Sequence, residues 1–398
     1  MISLPEYAFN TPPMSVTIAE TRFSAPVQGG TVSGRVDRSD RPLSDLCDFA
    51  ARRNTKRGFL ILSKVLGRHL PSRPSEMKSA ATDLVNALVK VEAVIDGPIL
   101  VVGLAETAVC LGQSVFHGFV DQTGRSDALF MHSTRQQIDA DVLARFEEPH
   151  SHASAHLIYA PEAPAHRKLV QNARTLVLVD DEITTGATLR NLALEILKSS
   201  PAIERIFLVS FTDWSGGTAY LDRMPVPTRS INLMNGSLSW SPDASFRVED
   251  LSLAEAPRGA LGRMTSHKNF GRLGLQGPSA DLSELAQSLT KADAAKFFVV
   301  GTGEFAHTPY LLGLALEELG HDVVMQATTR SPIRVGGVIT SALTFDDNYR
   351  TGVPNYLYNI EKASERRALI CHETPPGSVD PRLVKALNGE CLYFGAEA

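Results

Sequence analysis

The segment L-V-L-V-D-D-E-I-T-T-G-A-T, from Leu176 to Thr188, constrains the fold more than any other part of this 398-residue chain. Four consecutive apolar residues read as a strand buried on both faces, the pattern of a parallel sheet. Beyond the turn, Leu189, Leu192, Ala193, Ile196 and Leu197 recur at helical spacing. The unit is therefore strand, turn, helix. Asp180 and Asp181 stand at the carboxyl end of the strand, where open α/β sheets bind ligands. Thr184, Thr185, Gly186, Ala187 and Thr188 open the helix, and their backbone N–H groups and hydroxyls form an anion nest reinforced by the helix dipole. Paired carboxylates accept hydrogen bonds from vicinal sugar hydroxyls, and the nest takes a phosphate. Together they describe a ribose 5-phosphate site. A turn that merely capped the helix would need only one Asp or Thr.

The same alternation extends on both sides. Pro98-Ile99-Leu100-Val101-Val102-Gly103 and Ile206 to Ser210 read as further buried strands. Residues 77–94 read as a helix with Leu84, Leu88, Val91 and Ala93 on its apolar face, and a helical pattern runs from Leu43 through Ala50. Residues 1–40 read as short strands with a turn at Gln28-Gly29-Gly30. Residues 215–262 are rich in Ser, Gly, Pro and Asp, and a domain junction is expected there, giving domains 1–245 and 246–398. Past it the α/β signal restarts, with strands at Phe297–Gly301, Asp322–Met325 and Ala368–Cys371 and a helix from Pro309 to Leu319.

Two hydrophobics, two acids and T-T-G-x-T resemble the signature for 5-phosphoribosyl 1-pyrophosphate (PRPP) of the type I phosphoribosyltransferases, particularly the orotate phosphoribosyltransferase-like group. The resemblance implies a parallel sheet with helices on both faces and a PRPP-dependent transferase. Gly103-Leu104-Ala105-Glu106-Thr107 then looks like the pyrophosphate-binding loop of that superfamily. His132-Ser133-Thr134-Arg135 precedes a polar region, residues 134–156, where the family has a mobile loop that closes over PRPP. Arg135 becomes the candidate cation for the departing pyrophosphate. The implied reaction is transfer of the phosphoribosyl group to a nucleobase-like nitrogen. Mg²⁺ would be carried by PRPP rather than held in a dedicated protein site.

Two features admit several readings. His150, His152 and His156 have spacing that could ligate zinc. They could instead contact pyrophosphate from the mobile loop, or be solvated. Arg52, Arg53, Lys56 and Arg57 form a basic cluster that is either a solvated face or, with Lys64, a source of cations for PRPP.

Composition narrows the classes. A net charge of −5 argues against a general nucleic-acid or membrane-surface binder. The four cysteines form no C-x-x-C pair, which argues against zinc ribbons and suits a reducing compartment. No apolar run approaches the roughly 20 residues that span a bilayer, and Met1–Asn10 lacks a signal-peptide pattern. The expected location is the cytoplasm.

The second half contains Thr328-Thr329-Arg330-Ser331-Pro332, which resembles the TRSP domain, named for that tetrapeptide and found fused to such transferase domains. Those fusions are associated with tellurium-resistance and stress gene clusters, which implies an acceptor other than orotate and a role in making or salvaging a nucleoside-like metabolite. Alternatives are a non-catalytic PRPP-sensing regulator and an interaction protein of a stress complex.

Internal comparison adds a further expectation. V-V-G-L-A-E from Val101 matches V-V-G-T-G-E from Val299, and S-T-R-Q from Ser133 matches T-T-R-S from Thr328. F-E-E-P-H from Phe146 matches F-D-D-N-Y from Phe345, and the segment from Leu178 matches that from Leu369. The shared order predicts a diverged second copy of the core. In that match Cys371 and His372 replace the two aspartates, and Pro375-Pro376 replace two threonines and remove amide donors. A second anion cleft is expected at Gly301, Gly303, Glu304, Thr329 and Arg330. The copy would make the chain a pseudo-dimer, with a homodimer as the other possibility.

Overall fold

The computed structural model describes residues 21–52, 58–91, 95–147, 155–246, 270–290 and 296–395. The first half runs β1 (Thr21–Val27), β2 (Gly30–Ser39), α1 (Leu43–Leu46), β3 (Cys47–Ala51), β4 (Phe59–Ser63), α2 (Pro74–Val89), β5 (Ile99–Gly103), α3 (Val109–Thr123), β6 (Ala128–His132), β7 (Val142–Glu147) and β8 (Ala155–Tyr159). It continues with α4 (Pro164–Gln171), β9 (Thr175–Val179), β10 (Glu182–Ile183), α5 (Ala187–Ser199), β11 (Arg205–Asp213) and β12 (Thr228–Pro242). The second half runs α6 (Ser283–Leu289), β13 (Lys296–Gly301), α7 (His307–Glu318), β14 (Asp322–Ala327), β15 (Ala342–Asp346), β16 (Pro354–Tyr358), β17 (Arg367–His372), α8 (Pro381–Leu387) and β18 (Glu390–Tyr393).

The main sheet has the order β1-β2-β12-β11-β9-β5-β6, with β10 on β11. Its core from β12 to β6 is parallel, and β1 and β2 add antiparallel strands at one edge. Residues of β5, β6 and β9 are buried throughout, because helices and hairpins cover both faces. One apolar cluster, with Val101, Val177 and Phe116, lies on one face, and another, with Leu100, Leu178 and Leu192, lies on the other. The fold is the expected α/β arrangement, a mostly parallel sheet with helices on both faces, followed by a second, strand-rich α/β unit.

Three local expectations change. The helix expected through Ala50 ends at Leu46, and Cys47–Ala51 pairs antiparallel with Phe59–Ser63. The facing strand F-L-I-L-S supplies a ladder that a short helix could not match. The polar stretch 215–262 is not all connector: upstream of the junction expected after residue 245 it contains the 15-residue strand β12, bonded to β11 on one side and β2 on the other. Its backbone ladder holds a segment whose side chains alone read as loop. The polar region from 134 to 156 contains the antiparallel pair β7–β8. His150 and His152 lie outside the described residues.

The second sheet is wholly parallel, with the order β14-β13-β17-β18. Strand for strand this is the order β6-β5-β9-β11. Each central strand, β5 or β13, leads into a helix, α3 or α7, and the neighbouring strand is followed by an antiparallel hairpin, β7–β8 or β15–β16. Register refines the internal match by one residue. Val179 faces Gly103, and Cys371 faces Gly301. His372 and Glu373, not Cys371 and His372, therefore stand where Asp180 and Asp181 stand. The halves share core: Met77 and Cys110 pack with Phe297 and Tyr310, and Leu62 and Leu70 pack with Ile333 and Tyr358.

Candidate active site

At the carboxyl end of the main sheet the strands open onto a cavity of about 200 Å³. It is lined by Leu104, Ala105, Glu106, Thr107, Arg135, Asp180, Asp181 and Thr184 to Thr188, together with His156, Arg52, Leu60, Ile61, His69 and Ser331. Residues predicted from three separate stretches thus meet in one space. Gly103 lies just behind the lining. It ends β5, and a Cβ there would come within 2.9 Å of the Ala108 carbonyl oxygen, so glycine lets α3 approach the strand.

The acidic pair is tied to the first loop. Thr107 Oγ1 donates to Asp181 Oδ1 at 2.7 Å, and the Asp181 backbone N–H donates to Asp180 Oδ1 at 3.0 Å. Burial pushes the Asp181 carboxyl above the ordinary carboxylate range, while the Thr107 hydroxyl works against that shift. A sugar hydroxyl or a cation would relieve the same desolvation. The Ala105–Glu106 peptide bond is cis. Glu106 faces the buried Arg68 guanidinium at 3.5 Å, and Arg68 also donates to the Glu106 carbonyl at 2.7 Å.

The nest opens α5. The helix caps on Gly186, which has φ +69°. The first N–H groups of a helix have no intrahelical acceptor, so this turn presents donors to the cavity. A Cβ on Gly186 would lie 2.4 Å from Cδ2 of Tyr220, whose hydroxyl donates to Asp213 at 2.6 Å. Gly186→Ala is therefore expected to cost about 1–2 kcal/mol through its left-handed backbone alone, with more from the ring contact. Urea denaturation measures the stability loss, and calorimetry with inorganic phosphate or PRPP should show weakened anion binding. Unchanged values for both would refute the strained-turn account.

Arg135 is only 9% exposed and lines the cavity, and its backbone N–H donates to Glu304 Oε1 at 2.6 Å. His156 Nδ1 lies 3.1 Å from the Ser133 hydroxyl, and its ring stacks on Phe146 at 4.7 Å. This position is a packed one beside the loop. Among the described residues no group of three His, Cys, Asp or Glu side chains is placed to hold a metal. Lys64, expected as a cation for PRPP, lies elsewhere: its ammonium donates to the Ser44 carbonyl at 2.8 Å and pairs with Asp48 at 3.4 Å.

Three lining groups were missed by sequence reasoning. Leu60 and Ile61 come from β4 of the β3–β4 hairpin, whose first strand overlaps the stretch expected to be helical. His69 is 3% exposed, and its Nε2 has no partner. Burial, then the Arg68 and Arg52 cations, pull its pKa down to about 3, so the ring is neutral at pH 7. Ser331 comes from the second half, in the T-R-S-P tetrapeptide itself. The Arg52–Ile333 bridge and the Arg334 N–H bond to the Ala51 carbonyl, at 2.9 Å, stitch this tetrapeptide to the hairpin.

The second cleft expected at Gly301, Gly303, Glu304, Thr329 and Arg330 is not open. Thr329 is 1% exposed, and the space lined by Gly303, Glu304 and Arg330 holds about 10 Å³, the scale of one water. The volume is filled by the chain's own charged groups. Arg272 pairs with both oxygens of Glu373, at 2.7 and 2.8 Å, and with Glu304 at 3.3 Å.

No curated protein matches the chain. Solved structures similar to it include adenine phosphoribosyltransferase from Rhodothermus marinus, at 14% identity and TM-score 0.32, covering 48% of this chain and 95% of that one. The enzyme from Giardia lamblia complexed with 9-deazaadenine is 18% identical with TM-score 0.31, covering 47% of this chain and 93% of that one. The enzyme from Trypanosoma brucei, in complex with AMP, pyrophosphate and ribose-5-phosphate, is 12% identical with TM-score 0.33, covering 47% and 76%. Residues 46–237 match the PRTase_2 family, described as phosphoribosyl transferase, and residues 270–387 match the TRSP domain found C-terminal to it. The two matched regions stand in the order of a fused arrangement, a phosphoribosyl transferase region followed by a TRSP domain.

Proposed function

We propose that the first half transfers the 5-phosphoribosyl group of PRPP to a ring nitrogen of a nucleobase-like acceptor, releasing pyrophosphate. The observation that carries this reading is the union, in one cavity, of Asp180 and Asp181, the α5 N-terminal turn and the Leu104–Thr107 loop. The turn from Thr184 to Thr188 holds the 5′-phosphate. The two aspartates orient the ribose hydroxyls. The Gly103–Thr107 loop and Arg135 face the pyrophosphate. As the C1–oxygen bond to pyrophosphate breaks, the C1–nitrogen bond forms and the acceptor N–H proton is released. Charge builds on the leaving group and on the sugar ring, so fixed positive and negative groups on either side lower the barrier.

The acidic pair offers hard oxygen donors, which suits Mg²⁺ brought in on PRPP oxygens. Such an ion would neutralise charge on the pyrophosphate. The apolar side chains of Leu60 and Ile61, with His69 and Ser331, line the same cavity and suit a flat heterocycle.

Titration calorimetry tests the reading. PRPP is expected to bind in a Mg²⁺-dependent manner. Pyrophosphate release is expected with at least one member of a panel of adenine, guanine, hypoxanthine, uracil and orotate. Binding without release for every base would favour a PRPP-sensing regulator, and no binding at all would remove the assignment.

A further inference from the structure

We propose that the C-terminal half is a diverged copy of the transferase core whose own site has closed, and that it serves the first half's site, with Glu304 positioning Arg135 and Ser331 walling the cavity. The inference rests on the reading of that cavity as a PRPP site.

The two halves meet through reciprocal contacts. Glu106 and Glu304 each stand three residues past the glycine that ends the central strand, Gly103 or Gly301. Arg135 and Arg330 each stand three residues past the end of the neighbouring strand, at His132 or Ala327. Glu304 accepts from the Arg135 backbone N–H at 2.6 Å, and Glu106 accepts from the Arg330 backbone N–H at 3.3 Å. Residue i meets j of the other half, and j meets i, which is the pattern of surfaces related by a two-fold axis.

The exchange extends to the segments that precede each core. Ser72 of the first half bridges Met325 on β14, and Leu275 of the second half bridges Phe130 on β6. Met325 faces Val299 and Phe130 faces Val101, so the two bridged positions are equivalent. Each segment also carries a glycine with positive φ followed by a buried arginine: Gly67 and Arg68, Gly271 and Arg272. Arg68 donates to the Gly303 and Thr328 carbonyls, while Arg272 reaches the Thr134 hydroxyl. Each arginine therefore crosses into the loops of the opposite half.

The halves differ in what stands at the acidic pair. Glu373 occupies the place of Asp181, and the Arg272 guanidinium and the Tyr349 hydroxyl, at 2.7 Å, consume its oxygens. The space lined by Gly303, Glu304 and Arg330 is about 10 Å³, against about 200 Å³ for the cavity of the first half. What remains available to the second half is its reach across the interface. Glu304 binds both the Thr134 hydroxyl and the Arg135 N–H, so a carboxylate outside the cavity sets where the arginine enters it. Ser331 reaches the cavity directly.

The test uses three ligands with the full chain. Glu304→Gln keeps the shape of the side chain but removes the charge on the acceptor. It is expected to weaken PRPP and inorganic pyrophosphate about tenfold each, the scale of one charge-assisted hydrogen bond, and to leave ribose 5-phosphate unchanged, because that ligand does not reach Arg135. Equal weakening of all three, or of none, in a folded variant overturns the positioning role. If Glu304→Gln does not fold, Ser331→Trp supplies the second arm. Its indole would fill cavity space from the second half, with PRPP expected to bind at least tenfold more weakly, and unchanged binding overturns the proposal. Wild-type protein that fails to bind PRPP would refute the reading of the site itself, a separate outcome.

Discussion

Replacing Asp180 and Asp181 together by asparagine is expected to lower phosphoribosyl transfer by about 10²–10³-fold, the scale seen when a preorganised electrostatic group is removed, while the protein stays folded. The structural reason for the asymmetry lies in Asp181. Its carboxyl is desolvated and held by Thr107, and burial raises its pKa, so the charge is a burden on the empty fold. An amide of the same size still accepts from Thr107 but cannot offer a full negative charge to the sugar or to a Mg²⁺ ion. Steady-state pyrophosphate release measures the first effect, and circular dichroism with thermal unfolding measures the second. Turnover within twofold of wild type would remove the acidic pair from the reaction.

The largest stability effect is expected at the other site. Arg272→Met should cost about 3–5 kcal/mol, the range for breaking one side of a buried ion pair. Arg272 is 2% exposed, between Glu373 at 0% and Glu304 at 4%. Burial opposes its charge, but the two carboxylates hold the guanidinium protonated above its ordinary value. Burial likewise opposes the Glu304 charge, and Arg272 with the Thr134 and Arg135 donors keeps that carboxyl below its usual range. Without the arginine, two carboxylates remain buried with their main counter-charge removed. Adding Glu373→Leu to Arg272→Met should recover part of the loss, because one uncompensated charge is then removed. Urea denaturation of both variants decides this. A cost under about 1 kcal/mol for the single variant would mean that the cluster is solvated in solution.

The sequence determined the parts whose chemistry is contiguous. A run such as L-V-L-V-D-D-E-I-T-T-G-A-T specifies strand, turn and helix through neighbours only, because strand burial, left-handed glycine and the helix N-terminus are local properties. The parallel strands and the matching order of segments in the second half were legible for the same reason. Local reading failed where a partner far along the chain overrides composition. Cys47–Ala51 is a strand because Phe59–Ser63 lies beside it, and β12 is a strand because β2 and β11 bracket its polar residues. Lys64 carries the right charge for PRPP, but only its fold neighbours assign it to Asp48. The contacts between halves were furthest from view. Glu304 and Arg135 are 169 residues apart, and Arg68 and Thr328 are 260 apart. Their meeting follows from how two sheets pack, and no spacing in the chain encodes it. The matched V-V-G-x-x-E and S/T-T-R segments, which carry Glu106, Glu304, Arg135 and Arg330, were the trace of it in the sequence. What that trace could not convey is that one cavity is open and the other filled, since that depends on which side chains the tertiary structure brings into the same small volume.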